Sequence, residues 1–223
     1  MKTFIKICGV TNEADALLAV GLGADAIGLI FAPSPRQISQ ATASDVVRRL
    51  PPETLVIGVF RDEAPKRVVD IANHLGLRGV QLHGHESTSD VQYISERVAL
   101  VIKALPAASD DIASFAESGA DLLLVDGPNP GSGEVFDWRL AEGVANSHRL
   151  LVSGGLNAEN VHGAIEQLHP FGVDVATGVE MAPGVKDPRK MKAFIDAVRE
   201  YDDVLDFSEA GEPEDGPFDW NRS

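Results

Sequence analysis

The chain has 223 residues, of which 44% are hydrophobic, and its formal net charge is −15. This length and composition can bury one substantial core, so we expect one α/β domain rather than two. The longest apolar runs, such as residues 122–125, are far shorter than the roughly 20 residues that a membrane-spanning helix requires. Nucleic-acid binding needs clustered Lys and Arg, which the chain lacks. Composition therefore predicts neither a membrane nor a nucleic-acid partner.

Cys8 is the only cysteine, which excludes an intrachain disulfide and a multi-cysteine zinc site. The first residues enter an alternating, strand-like pattern without an apolar signal segment, so we expect a cytoplasmic protein. The excess of acid, with Arg more frequent than Lys, is typical of proteins from salt-loaded, halophilic cytoplasms. A strongly charged surface also favours the monomer, so we predict a monomer and keep a homodimer as the alternative.

The C-terminal end of the chain differs from the rest in composition. Residues 202–223 contain eight acidic residues and one basic residue, Arg222, and their second half offers few apolar side chains to bury. Such a composition does not compensate the entropy lost on ordering. We therefore predict a folded domain over residues 1–201 and an acidic, mobile tail over residues 202–223.

Eight short runs rich in Val, Ile and Leu recur along the domain and predict strands. Segments with helical spacing lie between them, for example Val161, Ala164, Ile165 and Leu168. This alternation indicates parallel strands joined by right-handed crossovers, and eight such units fit a single (β/α)8 TIM barrel. A doubly wound open sheet is the alternative, but residues 8–11 are not the glycine-rich turn expected after its first strand. The predicted strands are residues 4–8, 26–31, 55–60, 79–83, 99–104, 122–126, 150–153 and 172–176.

Local signals add two further expectations. Helix N-caps are predicted at Thr11 or Asn12, Ser44, Ser109 and Asn157, where a short polar side chain precedes a helical run. In a (β/α)8 barrel the active site lies at the carboxyl ends of the strands. The polar or glycine residues at or just after those ends are Cys8, Arg36, His83, Asp126, Gly154, Gly155, Thr177 and Gly178.

Motifs at these strand ends resemble those of the phosphoribosylanthranilate isomerase family of tryptophan biosynthesis. The similarity extends from about residue 6 to residue 190, with the motifs in the right order. They are Lys6-Ile-Cys-Gly-Val-Thr11, Phe31-Ala-Pro-Ser-Pro-Arg36, Val80-Gln-Leu-His-Gly84, Gly131-Ser-Gly133 with Phe136-Asp-Trp138, Ser153-Gly-Gly-Leu156, and Gly172-Val-Asp174 with Gly178-Val-Glu180.

The resemblance implies a cofactor-free Amadori rearrangement of a phosphosugar substrate, which needs one general acid and one general base. It assigns the acid to Asp126, which follows an apolar run and so stands where the protonated form of a carboxyl group is favoured. It assigns the base to Cys8, whose thiolate must form although a free thiol has a pKa of about 8.5. Alternation places Lys6 on the same strand face as Cys8, but does not fix the distance between them.

The remaining site residues would bind the substrate. The resemblance assigns the anthranilate carboxylate to Arg36, whose planar guanidinium suits bidentate binding and whose loop is stiffened by Pro33 and Pro35. His83 would line the pocket in a supporting role. The glycine turns at Gly154–Gly155 and Thr177–Gly178 would bring backbone N–H groups to the phosphate.

Three alternatives stay open at this point. A non-catalytic barrel that binds a phosphorylated metabolite would keep the glycine turns, but it would need neither Cys8 nor Asp126. Indole-glycerol-phosphate synthase shares the phosphate turns but would require a catalytic lysine, for which Lys103 is the candidate. A ribulose-phosphate epimerase would require metal ligands. His83, His85 and Glu86 lack a matching further ligand, so we predict no metal site.

Overall fold

The computed structural model describes residues 2–107, 109–127, 131 and 133–209. Eight parallel strands form a closed barrel in sequence order, and β1 pairs with β8 to complete it. The predicted fold is therefore confirmed, and three of the eight strands have the predicted ends. The strands are β1 (Phe4–Cys8), β2 (Ala26–Ile30), β3 (Leu55–Phe60), β4 (Gly79–Leu82), β5 (Val101–Pro106), β6 (Leu122–Asp126), β7 (Leu150–Val152) and β8 (Gly172–Val175).

Helices α1 to α6 pack around the outside of the barrel. The residues whose helical spacing was noted in the sequence, Val161, Ala164, Ile165 and Leu168 on α5, are all buried. This follows from the 3.6-residue period, which places them on one helix face. The helices are α1 (Glu13–Leu22), α2 (Gln40–Arg49), α3 (Pro65–Leu75), α4 (Thr88–Ser95), α5 (Val161–Leu168) and α6 (Pro188–Glu209).

Two of the four predicted helix caps are correct. Asn12 caps α1 and Ser109 caps a 3-10 helix. Ser44 was the wrong choice, because α2 starts earlier and the Ser39 hydroxyl accepts the Thr42 N–H at 3.1 Å. Asn157 does not cap α5 either. Its side chain accepts the N–H groups of residues 159 and 160 in a turn that precedes the helix.

The connections on either side of β6 depart from regular α-helices. A 3-10 helix (Asp110–Glu117) joins β5 to β6 and anchors itself through the buried Phe115. Two short 3-10 segments (Trp138–Ala141 and Val144–Asn146) lie between β6 and β7. Gly143, with φ of 81°, separates these two segments and prevents one continuous helix.

The hydrophobic core has two layers. The larger layer lies between the outer face of the strands and the helices. The smaller layer fills the barrel interior and includes Ile57, Ile102, Leu124 and Leu151. Above it, toward the carboxyl ends of the strands, the interior side chains become polar, as at Gln81 and Asp126. The packed floor therefore supports a polar site at that end of the barrel.

Helix α6 extends beyond the predicted domain boundary at residue 201. Asp202 is 2% exposed and accepts hydrogen bonds from the Thr3 N–H at 3.0 Å and the Thr3 hydroxyl at 2.6 Å. Arg199 donates to the Thr3 carbonyl at 2.6 Å, so α6 is fixed to the start of β1. The boundary falls inside a helix, and the rest of the predicted tail, residues 210–223, lies outside the described residues. Among the described helices, none has the length and apolarity that a bilayer crossing demands.

Candidate active site

A cavity of about 310 Å³ opens at the carboxyl ends of the strands. The structure brings together all of the site residues predicted from the sequence at this one place, although they come from six different strand ends. The predicted residues that line the cavity are Cys8, Arg36, His83, Asp126, Gly154, Gly155, Thr177 and Gly178.

Cys8 ends β1 and its thiol is buried at the side of the cavity, with 5% of the residue exposed. Burial raises the pKa of the Cys8 thiol, and the neighbouring Lys6 ammonium acts in the opposite direction. Lys6 is itself fully buried and forms an ion pair with Asp174, with 2.8 Å between Nζ and Oδ1. Burial opposes the charging of Lys6, but Asp174 and Cys8 together raise the Lys6 pKa above its ordinary value. The only thiol in the chain therefore lies beside a charged ammonium group.

Asp126 ends β6 on another side of the same cavity, with 5% of the residue exposed. Its Oδ1 accepts the Gly127 N–H at 2.7 Å, and its Oδ2 lies 3.5 Å from Nε2 of His83. The other ring nitrogen of His83, Nδ1, lies 3.1 Å from Nε2 of Gln81. An amide nitrogen can only donate, so this Nδ1 accepts and Nε2 carries the hydrogen that points toward Asp126. Gln81, His83 and Asp126 thus form one chain of polar contacts.

Arg36 reaches the cavity from the loop after β2. Gly9, with φ of 71°, makes room for it, because a Cβ at this position would lie 2.7 Å from Cδ of Arg36. The guanidinium group is bound in bidentate fashion by Glu180, with 2.9 Å from Nε to Oε1 and 2.9 Å from Nη2 to Oε2. Nη1 lies on the side of Gly131, where a Cβ would be 3.4 Å away. Two of the three guanidinium nitrogens are thus already held by a protein carboxylate.

Glu180 also contacts Lys186, and this pair joins a short hairpin, β9 (Glu180–Ala182) and β10 (Val185–Lys186), to the barrel. Lys186 Nζ is fully buried and donates to the Cys8 carbonyl at 2.6 Å, the Ala176 carbonyl at 3.1 Å and Glu180 Oε1 at 3.1 Å. Burial alone would raise the Glu180 pKa, but Arg36 and Lys186 outweigh it and hold the pKa below its ordinary value. Burial lowers the Lys186 pKa against the opposing effect of Glu180.

The two glycine turns lie next to each other at the ends of β7 and β8. A Cβ on Gly178 would collide with the Leu156 carbonyl, and a Cβ on Gly155 would lie 2.5 Å from the Val135 nitrogen. Gly154 and Gly155 also have positive φ, of 86° and 67°. Within the described residues, the N–H groups of Gly154, Gly155, Thr177 and Gly178 donate to no other group. N–H groups that the described residues leave free on two adjacent turns are suited to contact an anion.

Lys103, the residue on which the synthase alternative depends, points away from this cavity. Its Nζ donates to the Gly84 carbonyl and to Glu86 Oε2, both at 2.7 Å, in a buried ion pair on the outer side of β5. Ile102 and Ala104, its neighbours on the strand, face the barrel interior instead. The strand register therefore places Lys103 on the face opposite to Cys8 and Asp126. In the part of the chain that the structure describes, no group of His, Cys, Asp and Glu side chains is arranged to hold a metal ion.

Asp174, Gln81, Glu180 and Lys186 are site residues to which the sequence analysis gave no role. Asp174 had a signal, since a lone carboxylate within a buried strand requires a cation, and Lys6 is the inward-facing cation on β1. Gln81 had a weaker signal as a polar residue on an apolar strand. The pairing of Glu180 and Lys186 with Arg36 had none, because it depends on how the hairpin folds back onto the barrel.

Comparisons with known proteins agree with this geometry. The family model described as N-(5'phosphoribosyl)anthranilate (PRA) isomerase matches residues 5–197. The N-(5'-phosphoribosyl)anthranilate isomerase of Desulforudis audaxviator is 44% identical over 202 residues, which cover 89% of this chain and 98% of that protein. The crystal structure of phosphoribosyl anthranilate isomerase from Thermus thermophilus is similar with a TM-score of 0.83 and 36% identity, covering 89% of this chain and 99% of that one.

Two further related structures bear on ligand and assembly. One phosphoribosyl anthranilate isomerase, 40% identical with a TM-score of 0.79, was determined in complex with reduced 1-(o-carboxyphenylamino)-1-deoxyribulose 5-phosphate; 89% of this chain and 99% of that one are covered. Another, from Thermotoga maritima and 38% identical with a TM-score of 0.80 and the same coverage, is a monomeric form of a dimeric enzyme. The family match spans almost the whole barrel, and the chain belongs to the N-(5'-phosphoribosyl)anthranilate isomerase family.

Proposed function

We propose that this isomerase acts with Cys8 as general base and Asp126 as general acid on N-(5-phosphoribosyl)anthranilate. The observation that carries the proposal is that a thiol and a carboxyl group line one cavity beside two glycine turns whose N–H groups donate to no described residue. Asp126 would protonate the ribose ring oxygen. The bond from that oxygen to the first sugar carbon would break, and the nitrogen lone pair would form an iminium ion.

The Cys8 thiolate would then take the proton from the second sugar carbon. The electrons of that C–H bond would form the enolamine, and the iminium electrons would return to nitrogen. The first carbon would then gain a proton while the hydroxyl group on the second carbon loses one, which gives the ketose, 1-(o-carboxyphenylamino)-1-deoxyribulose 5-phosphate. The reaction is internal, so no oxidant or cofactor is consumed. The product is the compound whose reduced form is bound in the related structure.

Substrate binding would divide between the two ends of the cavity. The N–H groups of Gly154, Gly155, Thr177 and Gly178 would bind the phosphate, which explains how a chain of net charge −15 can bind an anion without a basic patch. Arg36 would bind the anthranilate carboxylate through Nη1, while Glu180 fixes the plane of the guanidinium group. His83 would contact the acid rather than react.

The test is turnover of substrate generated in situ, followed by the loss of its fluorescence. Cys8→Ala and Asp126→Asn should each lower kcat on the order of 10²- to 10⁴-fold, the usual contribution of a general acid or base. Asp70→Asn removes an exposed carboxylate on α3 and should leave kcat unchanged. Full activity in either site variant would refute its assigned role. A native protein that binds the substrate without converting it would support the non-catalytic barrel instead.

We also propose a salt-adapted, cytoplasmic and monomeric enzyme. The acidic surface supports salt adaptation, because molar salt screens repulsion between surface charges beyond about 3 Å. The free thiol and the phosphorylated substrate support a reducing cytoplasm. Activity confined to low salt would refute the first point. Sedimentation as a dimer, the state of the Thermotoga maritima relative, would refute the monomer.

A further inference from the structure

A buried ion pair lies directly below Cys8 and takes no part in the proposed chemistry. Lys6 and Asp174 are register partners on β1 and β8, so the barrel itself places them side by side. Their side chains are 0% and 6% exposed, with 2.8 Å between Nζ and Oδ1. Two buried charges cost several kcal/mol each in lost hydration, which an apolar pair would avoid. The pair therefore needs an explanation other than stability.

The ammonium group of this pair also lies close enough to the thiol to lower its pKa. Gly28, the register partner of Cys8 on β2, borders both groups. A Cβ on Gly28 would lie 2.7 Å from Cys8 Sγ and 3.1 Å from Lys6 Nζ, so both atoms occupy the space that a larger residue would fill. Residues 6 and 8 point to the same face of β1 because side chains alternate along a strand. Sulfur, ammonium and carboxylate are thus consecutive members of one cluster.

We propose that Lys6 and Asp174 are positioning residues that set the protonation state of Cys8, Lys6 favouring the thiolate and Asp174 limiting that effect. The inference rests on the proposed role of Cys8 as the base. A cation within about 4–6 Å favours the charged form of an acid, and a nearby anion opposes it. The physical balance agrees: burial raises the pKa of the Cys8 thiol, Lys6 lowers it and Asp174 raises it.

Other charged groups around Cys8 stay in place in the test. Lys186 donates to the Cys8 carbonyl from β10 and is paired with Glu180, which also binds Arg36. The other charged or titratable groups that line the cavity are Arg61, His83, Asp126 and Glu134. Since none of them is altered when residue 6 or 174 is replaced, they form a constant background against which a change in Cys8 can be measured.

The single cysteine makes a direct test feasible, because the ultraviolet absorbance of thiolate in the native chain reports on one group. We expect Lys6→Met to move the Cys8 titration upward by about 1–3 pH units and Asp174→Asn to move it downward. The matched control is Lys66→Met, which removes a lysine paired with Asp70 at the same 2.8 Å but on the surface. It should leave the titration where it is. Cys8→Ser supplies the baseline.

General structural damage would not shift the Cys8 titration upward when Lys6 is replaced and downward when Asp174 is replaced. Opposite shifts would therefore be specific to the proposed roles of the two residues. The proposal is overturned if both variants leave the titration in place or move it in the same direction. If a single variant does not fold, the apolar double variant Lys6→Met with Asp174→Leu is measured instead. An upward shift of the Cys8 titration in this double variant supports the proposal, and an unchanged Cys8 titration overturns it. The acidic limb of the kcat/KM profile should follow the thiol titration. Absence of turnover in the native enzyme would refute the proposed function while leaving the thiol titration interpretable.

Discussion

The two sides of the active site are built differently, although each presents one group to the same cavity. On the β1 and β8 side, Cys8 lies above the Lys6–Asp174 pair, and its carbonyl accepts from the buried Lys186. On the β4 and β6 side, Asp126 has one charged or titratable neighbour at 3.5 Å, His83, whose side chain is 24% exposed. His83 and Asp126 also line a second cavity, of about 630 Å³, beside α4.

This difference matches the tasks proposed for the two groups. A base that must be a thiolate in a buried position needs a fixed cation, which has to be held by other charges. An acid that must be protonated again after each turnover needs a path to solvent, and His83 lies between Asp126 and the exterior. We call the β1 and β8 side, with Cys8, the base side, and the β4 and β6 side, with Asp126, the acid side. The comparison predicts that the function of the base side depends on buried charges, whereas the function of the acid side depends on how the His83 ring is positioned.

The largest expected effect is on stability and concerns the base side. Lys186→Met removes a fully buried cation with three hydrogen-bond acceptors and should lower the free energy of unfolding by about 3–5 kcal/mol. Lys192→Met removes an exposed partner of Asp196 on α6 and should cost less than about 0.5 kcal/mol. Urea unfolding measures both. Equal losses of unfolding free energy in the two variants would show that the buried contacts of Lys186 stabilise the fold no more than the surface pair of Lys192 and Asp196.

The next effect concerns substrate affinity. Arg36→Lys keeps the positive charge but loses the planar group that Glu180 holds in bidentate fashion. We expect KM to rise about tenfold or more with a smaller change in kcat, as for the loss of a charge-assisted hydrogen bond. Steady-state kinetics with anthranilate-derived substrate measures the split. A fall in kcat at constant KM would place Arg36 in the chemical step instead.

A pH dependence of stability follows from Glu180. Although burial acts against it, Arg36 and Lys186 hold the Glu180 pKa below its ordinary value in the folded chain. A carboxylate with a depressed pKa stabilises the folded state fully above its unfolded pKa, and this stabilisation is lost as the pH falls through the folded pKa. The difference in unfolding free energy between the native chain and Glu180→Gln should therefore be larger at about pH 7 than at about pH 4. A constant difference would contradict this assignment.

The sequence predicted the barrel well because its signals are local. The run at residues 4–8 and the helical spacing at Val161, Ala164 and Leu168 are complete within one element. Strand ends also located Cys8 and Asp126, since one fold rule puts all such ends on the same face. The partners of these groups were harder to predict. Asp174 meets Lys6 only through the closure of β8 onto β1, which no local pattern encodes.

The helix cap of α2 and the end of the domain were harder to predict from the sequence, and each case has a physical explanation. Ser44 has the chemistry of a cap, but Ser39 occurs earlier in the chain and caps the helix instead. The predicted end of the domain at residue 201 overlooked Asp202, because its burial depends on Thr3 at the opposite end of the domain. Composition alone classed Asp202 with the acidic residues that follow it. Long-range hydrogen bonds of this kind are invisible to a window of neighbouring residues.

The smallest expected effect concerns the acid side and separates positioning from charge. The Gln81 amide fixes the His83 tautomer that directs Nε2–H toward Asp126. Gln81→Leu removes this neutral hydrogen bond and should lower kcat by less than about tenfold, because such a bond contributes about 0.5–1.5 kcal/mol. Gln92→Leu, on the exposed face of α4 where the amide binds the Glu117 carbonyl, is the control. Nitrogen chemical shifts of the His83 ring should show a mixture of tautomers in Gln81→Leu and a single tautomer in the native chain. A single tautomer in both would mean that Asp126 alone orients the ring, and the acid side would then need no support from β4.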